Sequence, residues 1–379
     1  MKTSIPALLL MVLSTALLSF HPAEAKSKRT MTKAVTGNAA FQPAQECSKC
    51  HSDIFRNWKQ SLHAAAYDNP VFLTAYWKAW LEEGAEAARS CLPCHAPASA
   101  VTGDYAVAQA ITHEGVTCIS CHESADSRTA PNKRPDFLRG DAKRPIVPPQ
   151  QTGAPGGAGH DGYFARTRPC ADCHDFENRR KVRVATTFSE WNASPAAANG
   201  ESCQKCHMPF VAGRTANKGG HEEMHGHSFA ANLETIHGAV TAEITGVAVG
   251  NGVTASITLR NIKAGHYVPT GSTARTLILE VRLINAAGDV LETQKRIYRK
   301  SLADKDGNEI LSYGDAVLHA ASVTADNRLA PGETRVETIV FTTTPSENAT
   351  VAAELYLLTT PNVAQRIEMK IPLSAAGGN

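Results

Sequence analysis

Apolar and polar positions alternate along the C-terminal part of the chain, where β-branched residues are frequent. A period of two is typical of β-strands that bury one face. Turn signals such as Asn251-Gly252 and Pro331-Gly332 separate the alternating segments. The pattern predicts strands over Ala242–Val249, Thr254–Leu259, Thr276–Ile284, Val290–Tyr298, Arg335–Phe341 and Val351–Leu358. Short strands at such intervals favour an all-β sandwich of immunoglobulin-like architecture over residues 238–379.

Residues 41–237 show no comparable alternation. Their clearest helical pattern covers Arg56–Trp80, a stretch rich in Ala, Trp, Tyr and Leu that is broken at Asn69-Pro70. Between Ser124 and Gly159 the composition turns to Pro, Gly and Arg, which predicts a long irregular segment. We therefore predict a mainly irregular and α-helical domain over residues 41–237, preceded by a linker over residues 26–40.

Residues 1–25 have the pattern of a signal peptide. Lys2 supplies a positive charge, Ala7–Phe20 is apolar but short for a membrane span, and Ala23-Glu24-Ala25 fits a cleavage site. An uncleaved N-terminal anchor is the alternative. No other stretch approaches the about 18 apolar residues of a spanning helix. We expect an exported protein without a stable membrane span, in the periplasm, at the cell surface or outside the cell.

Five Cys-x-x-Cys-His motifs fall within residues 41–237 and contain all ten cysteines of the chain. This spacing is the attachment signal of haem c, because two thiols add to the vinyl groups and the adjacent His binds the iron. A zinc site would need closed sets of four ligands and gives no reason for a His after each pair. The motifs predict five covalent haem c groups, called haem 1 to haem 5 in chain order. The attaching residues are Cys47, Cys50, Cys91, Cys94, Cys118, Cys121, Cys170, Cys173, Cys203 and Cys206, and the proximal ligands are His51, His95, His122, His174 and His207.

The close spacing of the motifs leaves too little polypeptide between them for an ordinary hydrophobic core. We expect the macrocycles to form the core, with short helices and loops around them, so the apoprotein should not fold. The formal charge of +2 on the 379 residues describes only the polypeptide, because each haem adds two propionates. Nothing in the charge pattern favours nucleic-acid binding.

The ligand on the far side of each iron decides what a haem can do. A second His saturates the iron, so that the haem only passes electrons, whereas an open face can bind a small molecule. Of the 15 histidines, nine lie outside the motifs and the signal peptide, which exceeds the five that saturated haems require. They are His63, His113, His160, His221, His225, His227, His237, His266 and His319.

Sequence context selects four of these as distal ligands in the first domain. His63 lies on the helix predicted after the first motif, which should carry it to a neighbouring haem. His113 stands too close to Cys118 to cross that haem, so it should also serve a neighbour. His160 lies in a Gly-rich approach to the fourth motif, and His227 is the expected ligand among three histidines after the fifth.

His266 is the remaining distal candidate, and it lies in a loop between predicted strands, Gly265–Gly271. A ligand from this loop would join the β-domain to the haem domain. The alternative is a loop histidine at the interface between them. We expect His319 to be structural.

Three stretches carry a resemblance to a known family. They are Trp58-x-x-Ser61-x-His63, the run from His113 to His122 that reads HEGVTCISCH, and Cys206-His207-Met208-Pro209 with His227-Ser228-Phe229 downstream. They resemble the cytochrome c554-like family of multihaem cytochromes, which includes the tetrahaem electron acceptor of hydroxylamine oxidoreductase. The resemblance covers residues 41–235 and implies that His63, His113 and His227 are distal ligands of closely stacked haems. A fifth haem has no counterpart in the tetrahaem proteins.

The leading functional prediction is an electron-transfer protein of anaerobic respiration. Mostly bis-His, low-potential haems would relay electrons from a membrane-side donor to a terminal reductase or an extracellular acceptor. The alternative is a haem enzyme with one open iron that acts on hydroxylamine, nitrite, nitric oxide or peroxide, since one haem in the family can lack a protein distal ligand. The Cys-x-x-Cys-Lys motif of pentahaem nitrite reductases does not occur, which disfavours that activity. A homo-oligomer or filament, in which a histidine ligates a neighbour's haem, is a third alternative.

Overall fold

The computed structural model describes residues 41–122, 167–229, 238–250, 252–344, 349–360, 363–370 and 374–375, all within one compact unit. The predicted signal peptide, the linker over residues 26–40, the irregular Ser124–Gly159 segment and His160 lie outside the described residues. The division into domains at residue 238 stays a prediction. Among the described residues, no helix combines the length and the apolar character that a membrane crossing requires.

Short helices dominate the described chain up to the fifth motif. The second to fifth motifs each end a helix at their histidine, and the first motif joins α1 to α2. Helices this short are marginal alone, so tertiary contacts must hold them. They are α1 (Ala44–Ser48), α2 (Ser52–Lys59), α3 (Pro70–Glu83), α4 (Ala85–Arg89), α5 (Leu92–His95), α6 (Ala98–Thr102), α7 (Cys118–His122), α8 (Arg168–His174), α9 (Thr187–Asn192), α10 (Pro195–Ala198) and α11 (Cys203–His207), with a 3-10 turn at Thr112–Glu114.

The predicted helical stretch Arg56–Trp80 is two helices, α2 and α3, separated by turns. The start of α3 has a local cause, because Asn69 Oδ1 accepts a hydrogen bond from the Val71 N–H at 2.9 Å and Pro70 occupies the first helical position. His63 lies in the turns between the two helices. Its predicted place on a helix is therefore wrong, because α2 ends before it is reached.

All six strands predicted from the alternating pattern are confirmed, with ends that differ by one or two residues at most. The strands of the structure are β1 (Phe176–Glu177), β2 (Arg183–Ala185), β3 (Phe210–Ala212), β4 (Glu223–His225), β5 (Thr241–Val249), β6 (Val253–Arg260), β7 (Thr276–Ile284), β8 (Val290–Tyr298), β9 (Lys300–Ala303), β10 (Glu309–Ile310), β11 (Ser322–Asp326), β12 (Thr334–Phe341), β13 (Thr350–Thr360), β14 (Val363–Lys370) and β15 (Ser374–Ala375). The pairings between them are antiparallel.

Two of the sheets share one hydrophobic core. One sheet has the order β12-β6-β5 and the other β14-β13-β7-β8, with β15 paired to β13. Ile257 and Leu259 of the first sheet pack in the same buried cluster as Leu279 and Leu355 of the second. The C-terminal region is thus rich in antiparallel β-structure, as predicted, whereas its immunoglobulin-like type stays a prediction.

A smaller β-sheet and one helix were not predicted. The sheet has the order β10-β9-β11, and helix α12 (Tyr313–His319) lies between β10 and β11 in sequence. Leu302 of β9 and Ala316 of α12 pack against Val182 and Val184, which lie before the fifth motif. Because these elements are short and their core comes from a distant part of the chain, no local periodicity indicated them.

Candidate haem sites

The ten motif cysteines form no disulfide, and several of them meet between motifs. Three pairs of thiols hydrogen bond to each other: Cys47 with Cys118, Cys94 with Cys173, and Cys170 with Cys203. Cys121 of the third motif also interacts electrostatically with both thiols of the fourth. The first motif therefore adjoins the third, and the fourth adjoins the second, third and fifth.

Several of the predicted iron ligands share one hydrogen-bonding pattern, in which Nδ1 meets a backbone carbonyl. The contacts are His51 to Thr215 O (2.5 Å), His95 to Ala66 O (3.0 Å), His207 to Phe229 O (3.4 Å), His227 to His225 O (2.7 Å) and His266 to Tyr267 O (2.9 Å). A carbonyl oxygen can only accept, so Nδ1 donates and Nε2 keeps its lone pair. This tautomer binds a metal through Nε2 while the carbonyl fixes the ring's orientation.

Three pairs of imidazole rings face each other at nearly the same separation. Their ring centroids are 6.4 Å apart for His122 and His227, 6.3 Å for His207 and His266, and 6.1 Å for His63 and His174. The angles between the ring planes are 19°, 17° and 58° in the same order. Each pair joins one motif histidine to one histidine that the sequence indicated as a distal ligand.

This separation fits an iron between the two rings. A metal–imidazole nitrogen distance of about 2 Å, plus about 1.1 Å from that nitrogen to the ring centre, puts two ligands on opposite sides of a metal roughly 6.3 Å apart between centres. The three observed separations, 6.1 to 6.4 Å, agree with that value. Rings stacked face to face in direct contact lie closer, as in the 3.9 Å stack of Phe72 on His95. The residues present therefore fit bis-His haem c at the third, fourth and fifth motifs.

The electrostatics of these pairs favour neutral imidazole, which is the form that binds a metal. Burial, with the facing His174 as a second cause, lowers the pKa of His63 to about 3. Burial likewise lowers the pKa of His174 and of His227 to about 4, with the facing His122 contributing to the shift of His227. Burial also lowers the pKa of His266.

The segment before the third motif holds His63 in place. The backbone N–H of Val116 donates to His63 O at 2.9 Å, and Trp58 Nε1 donates to Val116 O at 2.9 Å. Gly115 has φ of 66°, and a Cβ there would lie 2.5 Å from His63 O. Only glycine combines this backbone conformation with so close an approach. The run that follows His113 in sequence therefore anchors His63, the histidine that faces His174 of the fourth motif.

A single side chain orients the segment that carries His227. Asn57 Oδ1 accepts hydrogen bonds from the backbone N–H groups of His227 and Ser228, the latter at 2.8 Å. The next residue, Phe229, places its ring edge-on to His63 with centroids 4.1 Å apart. Sequence reasoning missed Asn57 and Phe229, because neither role shows before the chain is folded. Their only signal in the sequence is that Asn57 directly precedes Trp58-x-x-Ser61-x-His63 and that Phe229 ends the stretch His227-Ser228-Phe229.

The remaining predicted ligands are not brought opposite a motif histidine among the described residues. His113 Nδ1 lies 2.9 Å from Asp68 Oδ1, its Nε2 lies 3.2 Å from Val107 O, and its ring is edge-on to Tyr67. In the part of the chain that the structure describes, no histidine ring faces His51 or His95. The distal roles of His113 and His160 therefore stay predictions.

One family model matches part of the chain. Residues 46–123 match the family model described as cytochrome c554 and c-prime. Among curated proteins, no sequence matches the chain significantly.

The solved structures give one extensive match. The crystal structure of a penta-heme cytochrome c552 from Thermochromatium tepidum aligns with a TM-score of 0.69 and 22% sequence identity, and the alignment covers 89% of this chain and 97% of that one. At this identity the likeness shows a shared fold. A second structure, the Northeast Structural Genomics Consortium target SoR45, aligns over 36% of this chain and 81% of its own at 10% identity, but its TM-score of 0.16 is too low to indicate a shared fold.

Proposed function

We propose that this chain, a multihaem c-type cytochrome of the cytochrome c554-like family, is exported and relays electrons between redox partners through five haems. The observation that carries the proposal is the set of three histidine ring pairs at iron-spanning separation. When bound, haem c supplies reversible one-electron chemistry at its iron. A histidine on each side occupies both axial positions, which leaves electron transfer as the remaining function of such a site.

The contacts between motifs support a branched route for the electrons. Cys47 and Cys118 lie next to each other, so the first and third attachment sites adjoin, and Cys121 lies close to the fourth. Cys170 and Cys173 of the fourth motif then contact the fifth and second motifs respectively. The fourth site is thus the junction, and the first, second and fifth sites are the ends.

Two of these ends are accessible to partner proteins. Lys49 within the first motif and Lys205 within the fifth have exposed side chains that a partner protein can contact. Close approach of a partner to an attachment site shortens the path of electron transfer. We assign the first and fifth sites to contacts with a membrane-side donor and with a terminal reductase or extracellular acceptor.

Mass spectrometry and ligand binding to the exported protein test this function. We expect the mass of the chain from residue 26 plus five haems. The ferric spectrum of haems 3, 4 and 5 should be low-spin before cyanide or nitric oxide is added and should not change on addition. Fewer than five attached haems would contradict the count. A prompt change at haems 3, 4 and 5 would contradict the passive relay.

A second candidate function is supported by the second site. Among the described residues no histidine ring faces His95. Tyr313 lies near Cys94 and Cys91, and burial together with these thiols raises the pKa of its phenol. A neutral phenol beside an open iron could donate a hydrogen bond to a bound hydroxylamine, nitrite, nitric oxide or peroxide. Tight cyanide binding at one high-spin haem, weakened in Tyr313→Phe, would support this enzyme activity, and five low-spin haems would exclude it.

A further inference from the structure

A buried ion pair joins the helical region to the C-terminal β-rich region. Arg328 Nη1 lies 2.8 Å from Glu190 Oε1, and each side chain is only 6% exposed. Glu190 belongs to α9, whereas Arg328 follows β11. Burying two charges costs about as much as their attraction returns, so such a pair does little for overall stability. Its value lies in fixing one arrangement of the groups around it.

Glu190 binds the loop that carries His266. Its Oε2 accepts a hydrogen bond from Thr270 Oγ1 at 2.7 Å and from the backbone N–H of Tyr267 at 3.3 Å. Its Oε1 accepts from Thr186 Oγ1 at 2.6 Å, on its own side of the junction. The Glu190 carboxylate thus binds Tyr267 and Thr270, which lie on either side of the centre of the Gly265–Gly271 loop.

Arg328 holds the same loop from the other side. Its guanidinium donates to Pro269 O at 3.1 Å and lies 4.9 Å from the centre of the Tyr267 ring. A second carboxylate, Asp326, lies 2.7 Å from Nη2 and fixes the orientation of the planar group. The two charged side chains therefore clamp the loop between them.

The loop has little room to shift in this clamp. A Cβ at Gly265 would lie 2.9 Å from Ala196 Cβ and 3.2 Å from Trp191 Cδ1. Asn261 Nδ2 donates to His266 O at 2.9 Å and fixes the backbone next to the imidazole. The ring of His266 then stands 6.3 Å from that of His207.

We infer that Glu190 and Arg328 are positioning residues for haem 5, which lock the His266 loop so that the β-rich region sets the ligation of that haem. The inference rests on the proposed bis-His ligation by His207 and His266. Loosening the clamp raises the fraction of molecules in which His266 has left the iron. The haem then binds external ligands in proportion to that fraction.

The test compares charge-removing variants of the intact, haem-loaded protein. Glu190→Gln and Arg328→Met each break the pair. The double variant leaves neither buried charge of the pair behind, and Asp326, the other partner of Arg328, is partly exposed to solvent. Thr270→Val removes one hydrogen bond to Glu190 and one between the hydroxyls of Thr270 and Thr187, changes no charge, and serves as a mild variant that should fold. Lys295→Met breaks the partly exposed pair of Lys295 and Glu280, 2.8 Å apart within the β7–β8 sheet, and is the matched control. His266→Ala gives the reference for a fully open haem 5.

We expect cyanide to bind haem 5 about tenfold faster in the single and double variants, with a smaller change in Thr270→Val and none in Lys295→Met. The midpoint potential of haem 5 should rise, by ~59 mV for a tenfold loss confined to the ferric state. Folded variants with the parent's cyanide rate and potential, beside a fast His266→Ala, would overturn the positioning role and leave the bis-His site standing. A His266→Ala protein that stays low-spin at haem 5 would instead show that the proposed ligation is wrong.

Discussion

The rings of His122 and His227 lie with centroids 6.4 Å apart and planes only 19° from parallel, although 105 positions separate the two residues in sequence. His122 closes the third motif on α7, whereas His227 follows β4 and is held by Asn57 of α2. Three separate segments thus converge to form one metal-binding geometry. A chance approach of two histidines would not explain why two further pairs share the same separation.

Replacing His227 should convert one haem from low-spin to high-spin. His227→Ala removes the ring opposite His122, so haem 3 should gain an open face that binds cyanide. Visible spectra of the ferric protein should show one haem equivalent of change with no loss of covalent haem. His221→Ala is the matched control, because His221 is exposed in the same segment. Equal spectral changes in both variants would contradict the assignment.

Replacing Gly115 by alanine should change the potential of haem 4 through His63, although Gly115 is not a predicted ligand. In Gly115→Ala the new Cβ would meet His63 O at 2.5 Å, and the positive φ adds strain, for a loss of about 1 to 3 kcal/mol in stability. Because the contact displaces His63, the potential of haem 4 should shift as well. Thermal melts and redox titration measure the two effects.

The matched control for that variant is Gly103→Ala. Gly103 also has a positive φ, 73°, but a Cβ there would meet nothing within 4 Å. It should lose about 1 kcal/mol from backbone strain alone and leave all haem potentials unchanged. A haem 4 shift of equal size in the two variants would show that Gly115 has no specific role.

The sequence predicts those elements whose pattern lies in neighbouring residues, and it fails for elements whose core is completed by distant residues. The bounds of β7 and β8 agree residue for residue with the strands that the sequence predicts. Leu279, Val281 and Leu283 of β7 alternate into the hydrophobic core. The short strand β9 and helix α12 do not, because Val182 and Val184 complete their core. The attachment motifs are likewise local, and they predict the cofactor directly.

The distal ligands are predicted only in part from the local sequence. His227 and His266 could be ranked from their surroundings in sequence, yet which motif each one faces depends on the tertiary fold. The residues that orient them could not be foreseen, since Asn57 and Glu190 act on segments far along the chain. The sequence predicts His63 as a distal ligand on a helix, whereas in the structure it faces His174 from turns that Val116 holds.

Acid should weaken the β-rich region through Glu292. Hydrogen bonds from Gln294 and from the backbone N–H groups of Thr343 and Thr342 lower the pKa of this carboxyl to about 2. A depressed pKa means that the carboxylate stabilises the fold above its ordinary value of 4.5, and that this contribution is lost as the pH falls towards about 2. Thermal melts between pH 6 and pH 3 should therefore depend less on pH in Glu292→Gln. An unchanged pH dependence would contradict this role.

Chains that lack haem should fold in part. The β-rich region has a large apolar core of its own, whereas the buried clusters around α1 to α7 are small. Expression without haem attachment should leave residues 41–229 open to proteolysis, because the ligand-binding segments lose the group that joins them. The strands from β5 onward should stay protected. Equal resistance of the helical region with and without haem would show that the polypeptide alone maintains that fold.

Electron paramagnetic resonance of the ferric protein tests directly whether haems 3, 4 and 5 have bis-His ligation. Nearly parallel imidazole planes, as in His122–His227 and His207–His266, split the iron d orbitals and give rhombic low-spin signals. The 58° tilt of His63–His174 leaves those orbitals closer in energy and gives a more anisotropic low-spin signal. We predict both kinds of low-spin signal, with the rhombic kind lost in part in His227→Ala and the anisotropic kind lost in His63→Ala. A high-spin signal from haems 3, 4 and 5 in the unaltered protein would contradict the account.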